Sequence, residues 1–305
     1  MSKQPLRLGI AGLGTVGGGV IKMLLNNASL LSLRASRQIT ISAVSAKSRT
    51  KKRSIDLSGI AWENNPVELA KRDDVDVFVE LMGGSEGSAK EATLAAISSG
   101  KDVVTANKAM LAIHGQSLAL AAEKAGLIIR FEAAVAGGIP VVKALTEGLA
   151  GNKIDRILGV MNGSCNYILT RMETSGLSYA DIFAEADGLG YLEADPNLDV
   201  GGIDAAHKLA LLASIAFGTK VNFESMVIEG IEAITIEDIS AASDMGYRVK
   251  LLGVSQMTEH GLEQRMTPCL VSASSSLGQL QGGTNIVILE GRDSGQIALK
   301  GAGAG

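Results

Sequence analysis

The segment 6–25, LRLGIAGLGTVGGGVIKMLL, limits the fold more than any other stretch of the chain. Residues 6–11 read as a short apolar strand, Gly12-Leu13-Gly14-Thr15-Val16-Gly17 as a glycine-rich turn, and 18–25 as an apolar helix. Strand, G-x-G-x-x-G and helix in that order form the fingerprint of a dinucleotide-binding βαβ unit. Gly12 permits the tight turn, Gly14 lets a pyrophosphate approach the backbone, and Gly17 lets helix and strand pack closely. The helix start then presents N–H groups and a positive dipole end to phosphate. The alternative is a glycine-rich turn that holds nothing.

Strand and helix keep alternating. Residues 39–44, 75–81, 102–105 and 127–131 read as strands, and 91–99 and 111–125 as helices. That order predicts an α/β fold whose first domain, residues 1–150, is a Rossmann-type doubly wound parallel sheet. At the end of the second strand an acidic residue would bind the adenine ribose of NAD. This chain has Ser45-Ala46 there, followed by Lys47, Arg49, Lys51, Lys52 and Arg53. A missing acid beside several cations suits a 2′-phosphate, so NADP(H) is expected over NAD(H), with Lys47 and Arg49 as phosphate partners; the alternative is a solvated basic loop. Gly83 and Gly84 close a strand and let a ligand lie against the backbone. Lys108 follows another strand end, where it points toward the cofactor crevice or is a surface lysine.

Residues 151–300 are expected to form a second, α+β domain for substrate binding and dimerisation. Its strands are 153–161, 226–231, 248–258, around Val271, and 286–289; its helices are 168–172, 179–187, 205–217 and 236–245. Alternating apolar strands suggest a mixed sheet with one helical face. Such a sheet commonly supports a homodimer. Within this domain, 190–208 (GYLEADPNLDVGGIDAAHK) gathers Glu193, Asp195, Asp199, Asp204 and Lys208. Asp204 and Lys208 are spaced i, i+4 and share a helix face. Pro196 and Gly201-Gly202 argue for loop upstream, where binding residues concentrate. Carboxylates facing one lysine suit a small substrate with an amino group and a polar reacting centre. The alternative is a solvated loop and an exposed helical pair contributing about 0.3–0.5 kcal/mol.

Two further segments leave choices open. Residues 132–140, EAAVAGGIP, form either a packed turn or a loop whose carbonyls, with Glu132, ligate a hard cation. Ser164, at a helix start, is either a plain N-cap or a donor to an anionic group together with nearby amides.

Composition narrows the class. The chain has 305 residues, is 46% apolar and carries a net charge of -4, which excludes disorder and a general nucleic-acid surface. Cys165 and Cys269 are too few and too distant for a disulfide framework, so a reducing cytoplasm is expected. The chain enters a strand almost at once, without an apolar signal core, and no apolar run reaches the ~18 residues of a membrane span. His114, His207 and His260 are not at metal-ligand spacing and read as structural or exposed.

The blocks GLGTVG (12–17), ELMGG (80–84), TANKA (105–109), FEAAVAGGIP (131–140), EGLAGN (147–152), NGSCNYILT (162–170), GYLEADP (190–196) and DVGGIDAAHKLALLA (199–213) resemble homoserine dehydrogenase over essentially the whole chain. The resemblance implies NAD(P)-dependent interconversion of L-aspartate 4-semialdehyde and L-homoserine, in threonine and methionine biosynthesis. It implies that Lys208 is the proton donor and acceptor, accompanied by Asp204, with Lys108 beside nicotinamide and substrate. Gly190, Tyr191, Glu193, Asp199 and Ser164 would hold the substrate. Gly12, Gly14, Thr15, Val16, Gly17, Lys47, Arg49, Gly83 and Gly303 would meet the cofactor. Glu132, Val135, Gly137 and Ile139 would hold a structural, sodium-like cation.

Two departures from the family pattern stand out. Ser164 replaces the usual Thr but keeps a hydroxyl. The chain ends at Gly305, so 301–305 would be the start of a segment returning to the cofactor domain, and a truncated fragment is kept as an alternative. Two rivals follow: an aspartate semialdehyde dehydrogenase, which needs a nucleophilic cysteine paired with a histidine, and a non-catalytic NADP-binding protein or inactive fragment.

Overall fold

The computed structural model describes residues 4–192 and 195–303, which leaves Glu193 outside the described residues. The chain divides into two compact units, Met1–Phe131 and Glu132–Gly305.

In the first unit β1 (Leu6–Ala11) leads into α1 (Thr15–Asn26), which bends by 80° into α2 (Ala28–Ala35). There follow β2 (Ile39–Ser45), β3 (Ala61–Glu63), α3 (Pro66–Lys71), β4 (Val77–Glu80), α4 (Ser88–Ser98), β5 (Asp102–Thr105), α5 (Lys108–Ala125) and β6 (Ile129–Arg130). The strands pair in the order β3-β2-β1-β4-β5-β6, all parallel. This is the expected doubly wound Rossmann-type sheet, and its strand order reverses beside β1, so a crevice opens beyond the carboxyl ends of β1 and β4. Ile10, Ile21, Val44 and Val79 fill the core beneath it. α2, β3 and α3 are not among the elements expected from sequence. Yet α3 has a clear start: Asn65 accepts the Val67 N–H and Pro66 occupies the first turn.

The second unit begins with α6 (Ala133–Ala136) and α7 (Val141–Lys143), the latter continuing as a π-helical turn, Ala144–Gly148. Then come β7 (Ile154–Val160), α8 (Gly163–Ser175), α9 (Tyr179–Gly188), α10 (Pro196–Val200), α11 (Ile203–Phe217), β8 (Val227–Ile228), α12 (Ile236–Asp244), β9 (Tyr247–Thr258), β10 (Gly261–Ser272), β11 (Thr284–Gly291) and β12 (Gly295–Ala302). The order is β12-β11-β7-β9-β10-β8, antiparallel except for β8 on β10. The sheet is therefore mixed, as expected.

The units part at Phe131/Glu132 rather than near Gly151. The reason is packing: α6 and the π turn lie against α11, and Val135, Val141 and Leu145 are buried there. α10 puts a short helix where loop was expected, and α6 does the same in 132–140. The glycine pair Gly159 and Gly253 sits on neighbouring strands. A Cβ on Gly253 would lie 2.7 Å from the Met266 methyl and 3.3 Å from Leu209 Cδ2, so glycine lets α11 settle close over the sheet. No single helix among the described residues is long and apolar enough to cross a membrane.

Candidate active site

In the first unit the glycine turn is built by exclusion. Gly12 has φ +99°, and a Cβ there would lie 2.3 Å from the Leu81 carbonyl oxygen. A Cβ on Gly17 would lie 1.9 Å from the Gly12 oxygen, which is how α1 comes down on the turn. Gly14, the N-cap of α1, meets nothing within 4 Å and leaves the backbone open to a ligand. Thr15 and Val16 open the helix and are exposed. A cavity of about 590 Å³ lies over this turn, walled by Gly12, Gly14, Ser45, Lys47, Lys51, Arg53 and Gly83. An open glycine backbone, a helix start and a cationic rim fit a phosphorylated dinucleotide.

The basic loop sorts itself. Lys47, Ser48, Lys51 and Arg53 line the cavity, whereas the Arg49 guanidinium lies 6.0 Å from the ring centre of Trp62 and is not in the wall. Arg53 also approaches Trp62, at 5.6 Å, and donates to the carbonyls of Ser48, Lys51 and Leu13. It thus shapes the loop and leaves Lys47 and Lys51 as the more adaptable cations. Lys51 thus stands in the wall where Arg49 was expected, because charge spacing alone does not say which side chains an indole collects. Lys108 opens α5, whose N-cap Asn107 accepts the Met110 N–H.

In the second unit Lys208 Nζ donates to Asp204 Oδ2 at 2.6 Å and to the Met161 carbonyl at 2.8 Å. The side chains are 12% and 6% exposed. The i, i+4 spacing thus produces a nearly buried pair, not a solvated one. Asn162 Nδ2 donates to Asp199 Oδ1 at 2.8 Å and approaches Asp204 Oδ2 at 3.4 Å, so one amide ties both carboxylates. Asp199 is buried on α10. Asn162 also caps α8 through the Cys165 N–H. The sequence reading missed Asn162 as a site residue; its signal was an Asn just before a helical run.

The N-cap of α8 is therefore Asn162, not Ser164. Ser164 Oγ donates instead to the Tyr191 carbonyl, at 2.6 Å. The Tyr191 ring stacks on Tyr167 with centroids 4.2 Å apart, and Tyr167 and Arg171 both donate to Glu185. That contact holds the Glu185 carboxyl down at about 2. Gly190, with φ +76°, turns the chain between α9 and this stack. Ser164 thus fastens the loop that leads into the acidic segment.

The carboxylate of Glu132 accepts the N–H groups of Val142 and Lys143, each at 2.8 Å. The carbonyls of Glu132 and Ile139 accept from Val135 and Val141, and Gly137 turns with φ +57°. Carbonyl oxygen, rather than the Glu132 side chain, is what Val135, Gly137 and Ile139 can offer a cation. A Cβ on Gly303 would lie 2.0 Å from Asn285 Nδ2, so its backbone is pressed against that amide. His114 pairs with Glu86, His207 lies 4.3 Å from Phe223, and His260 is exposed.

Two family models cover the chain: homoserine dehydrogenase, NAD binding domain, over residues 12–132, and homoserine dehydrogenase over 140–305. The chain is 47% identical over 302 residues to a homoserine dehydrogenase of Neisseria gonorrhoeae, covering 99% of this chain and 69% of that protein. It belongs to the homoserine dehydrogenase family. It is 44% identical to the Pseudomonas aeruginosa homoserine dehydrogenase over the same shares. A crystal structure of a homoserine dehydrogenase from Thiobacillus denitrificans superposes with a TM-score of 0.96 at 42% identity, covering all of this chain and 70% of that one. A hyperthermophilic archaeal homoserine dehydrogenase in complex with NADPH is also similar, with a TM-score of 0.80 at 26% identity over 99% of this chain and 92% of that one. As a member of this family the chain is an oxidoreductase with a dinucleotide-binding domain.

Proposed function

We propose that the protein interconverts L-homoserine and L-aspartate 4-semialdehyde using NADP(H) in preference to NAD(H), as a step of threonine and methionine biosynthesis in the cytoplasm, and that it works as a homodimer. One observation carries the chemistry: a nearly buried lysine, Lys208, whose ammonium is fixed by Asp204 and a main-chain carbonyl. The cofactor supplies or accepts the hydride. As negative charge grows on the aldehyde oxygen, the Lys208 ammonium stabilises it and hands over a proton. Asp204 sets the lysine rotamer, and Asn162 keeps Asp204 and Asp199 in place. Asp199, with Glu193, neutralises the substrate ammonium, while Gly190, Tyr191 and Ser164 shape the loop around it. Lys108 acts from the start of α5 on the cofactor side.

Cofactor preference is supported by Ser45 at the end of β2 and by Lys47 and Lys51 on the cavity rim. Main-chain carbonyls around Glu132, Val135, Gly137 and Ile139 suit a hard, sodium-like ion that holds α6 and α7 together. The aspartate semialdehyde dehydrogenase reading needs a thiolate. Cys165 is fully buried and donates its S–H to the Asp199 carbonyl at 3.2 Å; burial and the Asp199 and Asp204 carboxylates push its thiol up. That is the reverse of an activated nucleophile. The deciding experiment mixes L-homoserine with NADP+ or NAD+ at alkaline pH and follows absorbance at 340 nm. Growth of the signal with a higher kcat/KM for NADP+ is expected; no signal with either overturns the activity, and an NAD+ preference overturns the cofactor assignment.

A further inference from the structure

Glu80 is wholly buried at the carboxyl end of β4, where main-chain N–H groups and a hydroxyl donate to it. Burying a carboxylate in a strand core is costly unless hydrogen bonds replace its water. Here they do, and they join two segments. Glu80 Oε1 accepts the N–H groups of Met82 at 2.7 Å and Gly83 at 3.3 Å. Glu80 Oε2 accepts the Thr105 hydroxyl at 2.6 Å, across the register pair that Glu80 and Thr105 make between β4 and β5. Thr105 Oγ1 in turn accepts the Asn107 N–H at 2.9 Å. Asn107 Nδ2 closes the ring by donating to the Gly84 carbonyl at 2.7 Å, and Asn107 Oδ1 caps α5.

The two segments so joined both concern the cofactor. Met82 and Gly83 wall the cavity over the glycine turn, and Gly83 and Gly84 have φ of +79° and +83°, a conformation open to glycine but to few other residues. The other segment is the first turn of α5, which begins at Lys108. We propose that Glu80 is a positioning residue that locks the Met82–Gly83–Gly84 turn to the start of α5, so that the cofactor wall and Lys108 are set by one buried carboxylate. The proposal rests on the dehydrogenase reading above for its kinetic arm, and on NADPH binding alone for the other.

The chemistry separates the two functions of the carboxylate. Glu80→Gln keeps an acceptor for Met82 and Gly83 but turns an N–H₂ group toward Thr105. Thr105→Val deletes the hydroxyl that bridges to Asn107; Thr105→Ser restores it. We expect Glu80→Ala to weaken NADPH binding, measured by calorimetry, at least tenfold. Glu80→Gln and Thr105→Val should leave NADPH affinity within about threefold and lower kcat, per folded protein, at least tenfold, with Thr105→Ser recovering most of it. A purely structural residue would shift the melting temperature and leave both constants unchanged in the folded fraction. The proposal is overturned if folded Glu80→Ala binds NADPH as the wild type does, or if Glu80→Gln and Thr105→Val keep wild-type kcat. Should Glu80→Ala fail to fold, the latter pair still decides. If the wild type itself fails to oxidise homoserine, the activity reading has failed, and the calorimetric arm still judges the Glu80 turn.

Discussion

In the proposed reaction Lys208 is the proton source, and in the fold it is the counter-ion of Asp204. Replacing it with alanine should lower kcat by about 10²–10⁴-fold, the range for loss of a positioned acid. It should also destabilise the fold by roughly 3 kcal/mol, because it takes a cationic partner from a buried carboxylate. Rates must therefore be normalised to folded protein alongside a melting curve; near-wild-type turnover would remove Lys208 from the chemistry. Ser164→Ala tests a different link. It deletes the 2.6 Å bond to the Tyr191 carbonyl, a loss of about 1 kcal/mol. Homoserine KM should rise several-fold with kcat nearly constant, and an unchanged KM would show that the loop holds without that hydroxyl. The first of these interactions was legible in the sequence because i, i+4 is a helix rule. The second was not, because Ser164 and Tyr191 lie 27 positions apart and only the packing of α8 on α9 brings them together.

Among the elements, the glycine turn and α1 behave as one part. Gly17→Ala would place a methyl 1.9 Å from the Gly12 oxygen, so α1 must lift away from the turn that faces phosphate. Cofactor affinity should fall at least tenfold by equilibrium dialysis, with a lower melting temperature; retained affinity would mean the turn tolerates displacement. β1 and β5 were read from the sequence with their observed ends, since in each a short stretch of strand-favouring residues runs straight into a turn signal, Gly12 after β1 and Asn107 after β5. β10 was largely missed. Its sequence, GLEQRMTPCLVS, carries charges and Pro268, yet it pairs with β9 along its full length because Gly261 turns the two into a hairpin. Pro268 is tolerated where β8, which reaches only Arg265 and Met266, no longer pairs with β10. β12, half exposed and glycine-bounded, likewise offers no apolar run to read.

For the whole molecule, stability should carry the imprint of a lysine far from Lys208 in sequence. Lys250 is buried on β9 and donates to Asn166 Oδ1 at 2.8 Å and to the Leu280 carbonyl at 2.5 Å. Burial, aided by Arg248 and opposed by Glu173, pushes its pKa down from 10.5 to about 8. The folded lysine then releases its proton before the unfolded one does. The cost is fully present below about pH 8 and fades as pH rises toward 10.5, so stability should climb across that window, by at most about 3 kcal/mol for this group. The difference in denaturation midpoint between wild type and Lys250→Met, followed from pH 7 to 10.5, should move in favour of the wild type; a pH-independent difference would mean that Lys250 titrates normally. NADPH at a hundred times its Kd should stabilise the folded chain by about 2.7 kcal/mol, read as a rise in melting temperature, and no rise would argue against the cofactor cleft. Both sheets could be expected from sequence, but the division at Phe131 could not, because 133–145 is equally apolar whichever unit buries it.

The chain's one tryptophan, Trp62, stands beside Arg53 and hydrogen-bonds Asn64, two residues in the wall of the dinucleotide cavity. Indole emits in the band where a dihydronicotinamide absorbs, so the protein carries its own optical gauge of occupancy. Quenching of that emission would register a loaded cleft in a sample that catalyses nothing, which turns a silent assay from an ambiguous result into a diagnosis.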